Sequence, residues 1–320
     1  MKFDEELLKK FALPLSQTED EKCKNAIKMV RDAMKLSGYL DNSEVIKKYS
    51  EDTFSYTLDM NTSDYSKKLR ILIQGSYANN TNIRSHSDVD VAVILESTFI
   101  PEYRAGITGE KYFFTDGTYS AKELKDDVER ALNLKFNNQG VIRNDKSLKV
   151  IGNSYRVDAD VVPAYRLRNY KDDYNFDSSN YIGGIEIRPD SGGRIRNYPE
   201  QHIINGKEKN NKTNYYFKKH VRILKKIRNL MKEDGYKSVE QVSSFGLESL
   251  LWNLPNDLFS KYSLLKYTFD DILIYLNNNN FMLGTFKEVN GIKVLFSNEE
   301  MVNKYKKFIK EINEYFEIEI

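Results

Sequence analysis

Gln74-Gly-Ser-Tyr-Ala-Asn-Asn-Thr81, followed after one residue by Ile83-Arg-Ser-His-Ser-Asp88-Val-Asp90-Val91, is the stretch on which the reading of this chain turns. Upstream, Leu69-Arg-Ile-Leu-Ile predicts a strand that runs into a turn at Gly75. Downstream, Asp88-Val-Asp-Val-Ala-Val-Ile-Leu95 predicts a second strand, rich in β-branched residues with alternating polar positions. Residues two apart in a strand share a face, so Asp88 and Asp90 present paired carboxylates to one surface. Such a pair repels itself unless a cation sits between the two or one takes up a proton. An isolated acidic pair is usually just the solvated face of an edge strand. Gly75 and Ser76 change that reading. Glycine lets the backbone approach a ligand closely, and serine offers a hydroxyl and an N–H to phosphate oxygens. Carboxylate oxygens suit a hard divalent ion, Mg²⁺ being the usual one in phosphate chemistry and Mn²⁺ the alternative.

A third carboxylate would complete such a metal and triphosphate cradle. Tyr155-Arg-Val-Asp158-Ala-Asp160-Val-Val-Pro-Ala164 offers two, Asp158 and Asp160, and the spacing does not choose between them. An acidic group there can help hold the ion that lowers the pKa of an attacking hydroxyl. Counter-charge comes later. Lys218, Arg222 and Lys225 recur at i, i+4 and i+7, with Val221, Leu224, Ile227 and Met231 on the opposing apolar side. Between Lys207 and Arg228 there are nine basic residues and one acidic residue, Glu208. A run of this kind is by default a solvated face, but an aligned stripe suits charge-assisted contacts to a polyphosphate.

Working outward, Thr18 and Glu21 have capping-box spacing, and Ala26, Ile27, Val30, Ala33 and Met34 continue a helix that Gly38 ends. A further helix is expected over 42–60. The segment 121–136 predicts a helix, Ser154–Val162 a strand stopped by Pro163, and 183–198 a hairpin with Pro-Asp-Ser-Gly-Gly as its turn. After Pro199 the pattern is helical, over 211–234, 238–254, 268–278 and 299–316. The expected organisation is 1–198, N-terminal helices with an α/β core, and 199–320, a helical C-terminal lobe.

The 320 residues carry 49 basic and 47 acidic side chains, a net charge of +2, so any electrostatic function is local. The single cysteine, Cys23, excludes an intramolecular disulfide and a multi-thiolate zinc site. The acidic start MKFDEELLKK does not resemble a signal peptide, and no apolar run reaches the roughly 18–20 residues of a membrane span. The expectation is a cytoplasmic chain with no membrane partner. Neither G-x-x-x-x-G-K-[ST] nor G-x-G-x-x-G occurs, and His86, His202 and His220 have no metal-binding spacing.

Gly75-Ser76, Asp88-x-Asp90 and Asp160-Val-Val-Pro-Ala together resemble the DNA polymerase β nucleotidyltransferase superfamily. Within it the chain is most similar to the bacterial cGAS/DncV-like nucleotidyltransferases (CD-NTases), relatives of the oligoadenylate synthases. Thr81 and Ser87-Asp-x-Asp90 fit that pattern, and the aspartate directly before Val-Val-Pro-Ala favours Asp160 over Asp158. Val221-Arg222-Ile-Leu-Lys225 resembles the family's basic helix, whose arginine and lysine contact nucleotide phosphates. Ser244-Phe245-Gly-Leu-Glu248 resembles the segment where a polar residue meets the nucleotide and a ring stacks on its base. By its own chemistry Phe245 reads as core, and only the resemblance makes it a stacking ring. The likeness covers 18–255. Ala78-Asn79-Asn80 departs from the basic or small residue that many relatives have after Gly-Ser-Tyr, which blurs the clade and the bases used.

The resemblance implies an α+β, two-lobed polymerase-β-like nucleotidyltransferase, with a mixed-sheet lobe carrying the acidic site and a C-terminal helical lobe. It implies NTP substrates, pyrophosphate release and a cyclic di- or trinucleotide that activates a separate effector in antiphage (CBASS) signalling. Catalytic metal ligands would be Asp88, Asp90 and Asp160, and nucleotide contacts Gly75, Ser76, Thr81, Arg222, Lys225, Ser244 and Phe245. The same site allows another acceptor, such as an RNA end, a protein or a small molecule. The basic 207–228 segment allows RNA as acceptor or activator. An inactive nucleotide- or RNA-sensing module is the remaining reading, disfavoured by three intact carboxylates.

Overall fold

The computed structural model describes residues 3–316 apart from 15, 43–46, 49–54, 84–87, 118 and 138. Packing groups Ser16–Ala78 and Ser87–Glu200 into one compact unit, and Met1–Leu15, Asn79–His86 and Gln201–Ile320 into another.

The first unit is built on a mixed sheet of β1 (Tyr39–Asp41), β2 (Lys47–Lys48), β3 (Tyr56–Thr62), β4 (Lys68–Gln74), β5 (Val89–Glu102), β6 (Val141–Arg143), β7 (Leu148–Val150), β8 (Ala159–Asn169), β9 (Ile182–Ile187) and β10 (Ile195–Asn197). The main order is β1-β3-β4-β5-β8-β7-β6, and among the described residues only β5 and β8 pair in parallel. These central strands are long runs of buried Val, Ile, Leu and Ala, the pattern of strands covered on both faces. Two helices, α2 (Gln17–Leu36) and α4 (Ala121–Phe136), pack against each other and onto the sheet. α3 (Gly75–Ala78) is a single turn between β4 and β5.

In this unit the capping of α2, the 42–60 segment and Pro163 differ from expectation. α2 is capped by Ser16 with Glu19, in a complete capping box, and not by Thr18 with Glu21. Both pairs have the spacing, but only Ser16 has the extended backbone an N-cap requires. Of the helix expected over 42–60, residues 43–46 and 49–54 lie outside the described residues, and among the rest Lys47–Lys48 and the start of Tyr56–Thr62 are strand, with no helix. Tyr56–Thr62 alternates buried and half-buried positions and pairs with β4, so period-two burial overrides helical propensity. Pro163 lies inside β8 and does not stop it. On one edge Pro163 is the register partner of Val93. On the other, β7 pairs only as far as Val161 and β9 begins at Tyr165, so Pro163 falls in a gap where no ladder N–H is needed.

The second unit is helical: α1 (Glu5–Phe11), α5 (Pro199–Lys212), α6 (Phe217–Glu233), α7 (Ser244–Trp252), α8 (Asp257–Ser260), α9 (Leu265–Asn278) and α10 (Glu299–Tyr315). The expected 211–234 helix is two helices, broken where Asn214 and Tyr215 take positive φ. Phe3, Leu8 and Ala12 join Phe217, Val221, Leu224, Leu247, Phe269 and Phe308 in one core, so the N-terminal segment packs with residues two hundred positions later. Among the described residues, no helix is long and apolar enough to cross a membrane.

Candidate active site

On the sheet unit, antiparallel pairing sets Gln74 opposite Asp90, and parallel pairing sets Asp90 opposite Asp160. The turn between β4 and β5 needs its glycine twice over. Gly75 has φ +72°, and a Cβ there would run into the Asp90 carboxylate. Ser76 follows, half-buried. Asp88 stands exposed just before β5, while Asp90 and Asp160 are half-buried. Desolvation, then repulsion from Asp160 and Asp88, pushes the Asp90 carboxyl up to about 7. Burial and the Asp88 charge also raise Asp160, whose Oδ1 accepts a 3.5 Å hydrogen bond from Ser147.

Asp158 behaves differently. It accepts a 2.6 Å hydrogen bond from the Gly152 N–H and pairs with the Lys149 ammonium at 2.8 Å, and these contacts hold its carboxyl below the usual range. Lys149 reaches Asp88 as well, at 3.1 Å, and these neighbours raise the lysine pKa. Sequence reasoning missed Lys149. Its only signal was a basic residue at an alternate position of a short apolar strand.

Among the described residues, no three acidic, imidazole or thiol side chains stand as a ready metal-holding group, with Asp88 engaged by Lys149. The donor set nevertheless fits a hard divalent ion. Asp88, Asp90 and Asp160 offer oxygen ligands only, and their mutual repulsion is the strain a bound cation relieves. Ser87 lies outside the described residues.

On the helical unit, the expected basic stripe is largely inside. Lys218 and Arg222 are each 4% exposed and Lys225 is 1% exposed. Arg222 donates from Nε to the Ala12 carbonyl at 2.8 Å and from a terminal nitrogen to the Asn80 carbonyl, and burial pushes its pKa down to about 10. Lys225 donates to the Thr81 carbonyl at 3.0 Å, to Thr81 Oγ1 at 3.2 Å and to Glu248 Oε2 at 3.2 Å. Thr81 is fully buried and donates its hydroxyl to Glu248 at 2.6 Å. The other Glu248 oxygen lies 2.9 Å from His202 Nε2. Burial alone would raise the Glu248 carboxyl, but Lys225, His202 and the Thr81 hydrogen bond hold it below its ordinary range.

Ser244 opens α7 half-buried, its Oγ accepting a 2.7 Å hydrogen bond from Arg228. Phe245 is exposed, contrary to its reading as core, and meets the His202 ring edge-on at 5.1 Å between centroids. Glu248 and His202 were not among the predicted site residues. Glu248 was legible as a lone charge in the apolar run Ser-Phe-Gly-Leu-Glu-Ser-Leu-Leu-Trp, whereas nothing marked His202. Because Lys209, Lys218, Arg222 and Lys225 are buried, the 207–228 segment is not a continuous basic surface for nucleic acid.

A mixed sheet with a Gly-Ser turn beside paired aspartates, together with a helical C-terminal part, defines a nucleotidyltransferase of the polymerase-β-like class. Residues 204–317 match the model of the cGAS/DncV-like nucleotidyltransferase C-terminal helical domain. The chain is 44% identical to the cyclic GMP-AMP synthase CdnE03 of Staphylococcus schleiferi, over 99% of this chain and 98% of that one. It is 35% identical to the cyclic dipyrimidine nucleotide synthase CdnE of Legionella pneumophila, over 94% and 92%. The solved structure of the Rhodothermus marinus CdnE c-UMP-AMP synthase with Apcpp and Upnpp superimposes with a TM-score of 0.76 at 27% identity, covering 99% of both chains. The chain belongs to the cGAS/DncV-like nucleotidyltransferases, and it is an enzyme of that kind.

Proposed function

We propose that this enzyme joins two NTPs into a cyclic dinucleotide second messenger in antiphage (CBASS) signalling. The supporting observation is the Gly75–Asp90–Asp160 arrangement: a glycine turn against one carboxylate, with a second carboxylate directly across on the neighbouring strand. In each round a ribose hydroxyl gives up its proton to solvent and attacks an α-phosphate, a new P–O bond forms, the bond from the α-phosphorus to the bridging oxygen of the β-phosphate breaks and pyrophosphate leaves. A second round on the linear intermediate closes the ring.

Asp88, Asp90 and Asp160 would hold divalent cations, Mg²⁺ first and Mn²⁺ as alternative, which when bound neutralise phosphate charge and lower the pKa of the attacking hydroxyl. Gly75 and Ser76 would cradle the triphosphate through backbone N–H groups and the serine hydroxyl. Ser244 meets the nucleotide, and the exposed face of Phe245 stacks on a base. Arg222 and Lys225, both buried and hydrogen-bonded, hold the 80–81 backbone. Thr81 belongs to that same support. Catalysis then comes from positioning and charge neutralisation. The relatives named above differ in the nucleotides their names give, and the assay below reads the bases of this enzyme's product directly.

The test is incubation of all four NTPs, α-labelled, with Mg²⁺ or Mn²⁺, beside the Asp88→Asn/Asp90→Asn variant. A phosphatase-resistant dinucleotide, absent with the variant, is expected and identifies its bases. Pyrophosphate release only on adding an RNA, protein or small-molecule acceptor would replace the cyclase reading by a transferase.

A further inference from the structure

We propose that Glu248 is a positioning residue for the nucleotidyl-transfer reaction. With His202 behind it, Glu248 fixes the chain that leaves the Gly-Ser turn. The inference rests on the nucleotidyltransferase reading and concerns a residue outside the motifs that define it. Residues 79–83 follow α3 directly and pack within the helical unit. Among the groups that hold them in place is the carboxylate of Glu248, itself 1% exposed, together with the Lys225 and Arg222 contacts to the Thr81 and Asn80 carbonyls. One oxygen accepts from the Thr81 hydroxyl and from Lys225, while the other meets His202. The Lys225 ammonium has three N–H donors, and Thr81 and Glu248 supply acceptors for all three. Four chain segments, α5, α6, α7 and 79–83, therefore converge on one buried anion. The neighbouring carbonyl of Asn80, a residue with φ +54°, is held by Arg222.

A buried network of this kind is rigid when fully satisfied and costly when one member is lost. Glu248 touches no reacting group in this arrangement. It acts through Thr81 and Lys225, by holding the peptides at 80–82 in a single conformation. The same carboxylate fixes His202, whose ring supports Phe245 edge-on, so one side chain also sets the aromatic face at the start of α7.

Four variants test this: Thr81→Val, Thr81→Ser, Glu248→Gln and Thr81→Val/Glu248→Gln. Each is measured for kcat and KM with NTP, thermal midpoint, and amide exchange across 79–83. Thr81→Val and Glu248→Gln should each lower kcat/KM about 10- to 100-fold, the scale of a lost hydrogen bond to a charged group. The loss should fall mainly in KM, and Thr81→Ser should recover most of it. The double variant should be no worse than the poorer single one, because both remove the same support. Exchange over 79–83 should accelerate in both single variants while α9 and α10 keep their protection.

Multiplying losses, a folded Thr81→Val protein with unaltered KM, or unchanged exchange over 79–83 would overturn the proposal. If Glu248→Gln does not fold, the Thr81 pair decides. If the wild-type protein releases no pyrophosphate, the catalytic reading fails, while the exchange data still decide whether Glu248 holds the segment.

Discussion

Asp90 sits where electrostatics and stability oppose each other. Its carboxyl keeps a proton to about pH 7 in the fold, whereas an unfolded aspartate loses it near about 4. Between those values the unfolded chain binds fewer protons, so stability of the metal-free protein falls as pH rises from about 4 to about 7. Thermal melts in chelator should show this fall. Mg²⁺ should reverse it, and Asp90→Asn should reduce it while abolishing activity, the remainder coming from the raised Asp160 carboxyl. Lys149 would compete with a cation by pairing with Asp88 and Asp158. Lys149→Met should lower the Mg²⁺ concentration for half-maximal activity by about two- to fivefold, the worth of a partly exposed ion pair. Gly75→Ala should cost about 1 kcal/mol for its positive φ, and its loss of activity should be far larger, because the new methyl displaces Asp90.

Elements were legible where local chemistry and tertiary packing agree. α4 was predicted over the residues it occupies, with Ser120 and Glu123 forming its capping box. The 183–198 hairpin likewise pairs as expected. Reading failed where pairing decides. Tyr56–Thr62 is a strand because β4 offers it a partner, and Pro163 is tolerated because β7 and β9 leave a gap beside it. Two serine/threonine–glutamate pairs competed for the start of α2, and only backbone geometry separates them. Ser16→Ala should therefore destabilise the protein by about 1 kcal/mol in denaturant melts, while Thr18→Ala should cost only a small fraction of that.

At the scale of the molecule, chain order and packing order differ. The segment before residue 15 belongs to the helical unit, where Phe3 stacks on Phe316 at 4.9 Å and the Ala12 carbonyl holds Arg222. Removing residues 1–15 should strip Phe3 and Leu8 from that core, each a loss of about 2–5 kcal/mol. Calorimetry should show a lower midpoint for the helical unit. The likeness that implies the class was legible in the sequence, because a Gly-Ser turn and an acidic pair at strand spacing are local patterns, set by backbone geometry and charge repulsion within a few residues. The preference for Asp160 over Asp158 came only from the family resemblance carried by the residues that follow it. Only the tertiary structure set Asp160 across from Asp90, gave Asp158 to Lys149, and turned the basic stripe inward onto Thr81 and Glu248. Burial and pairing depend on contacts between residues far apart in the chain, which no local spacing encodes.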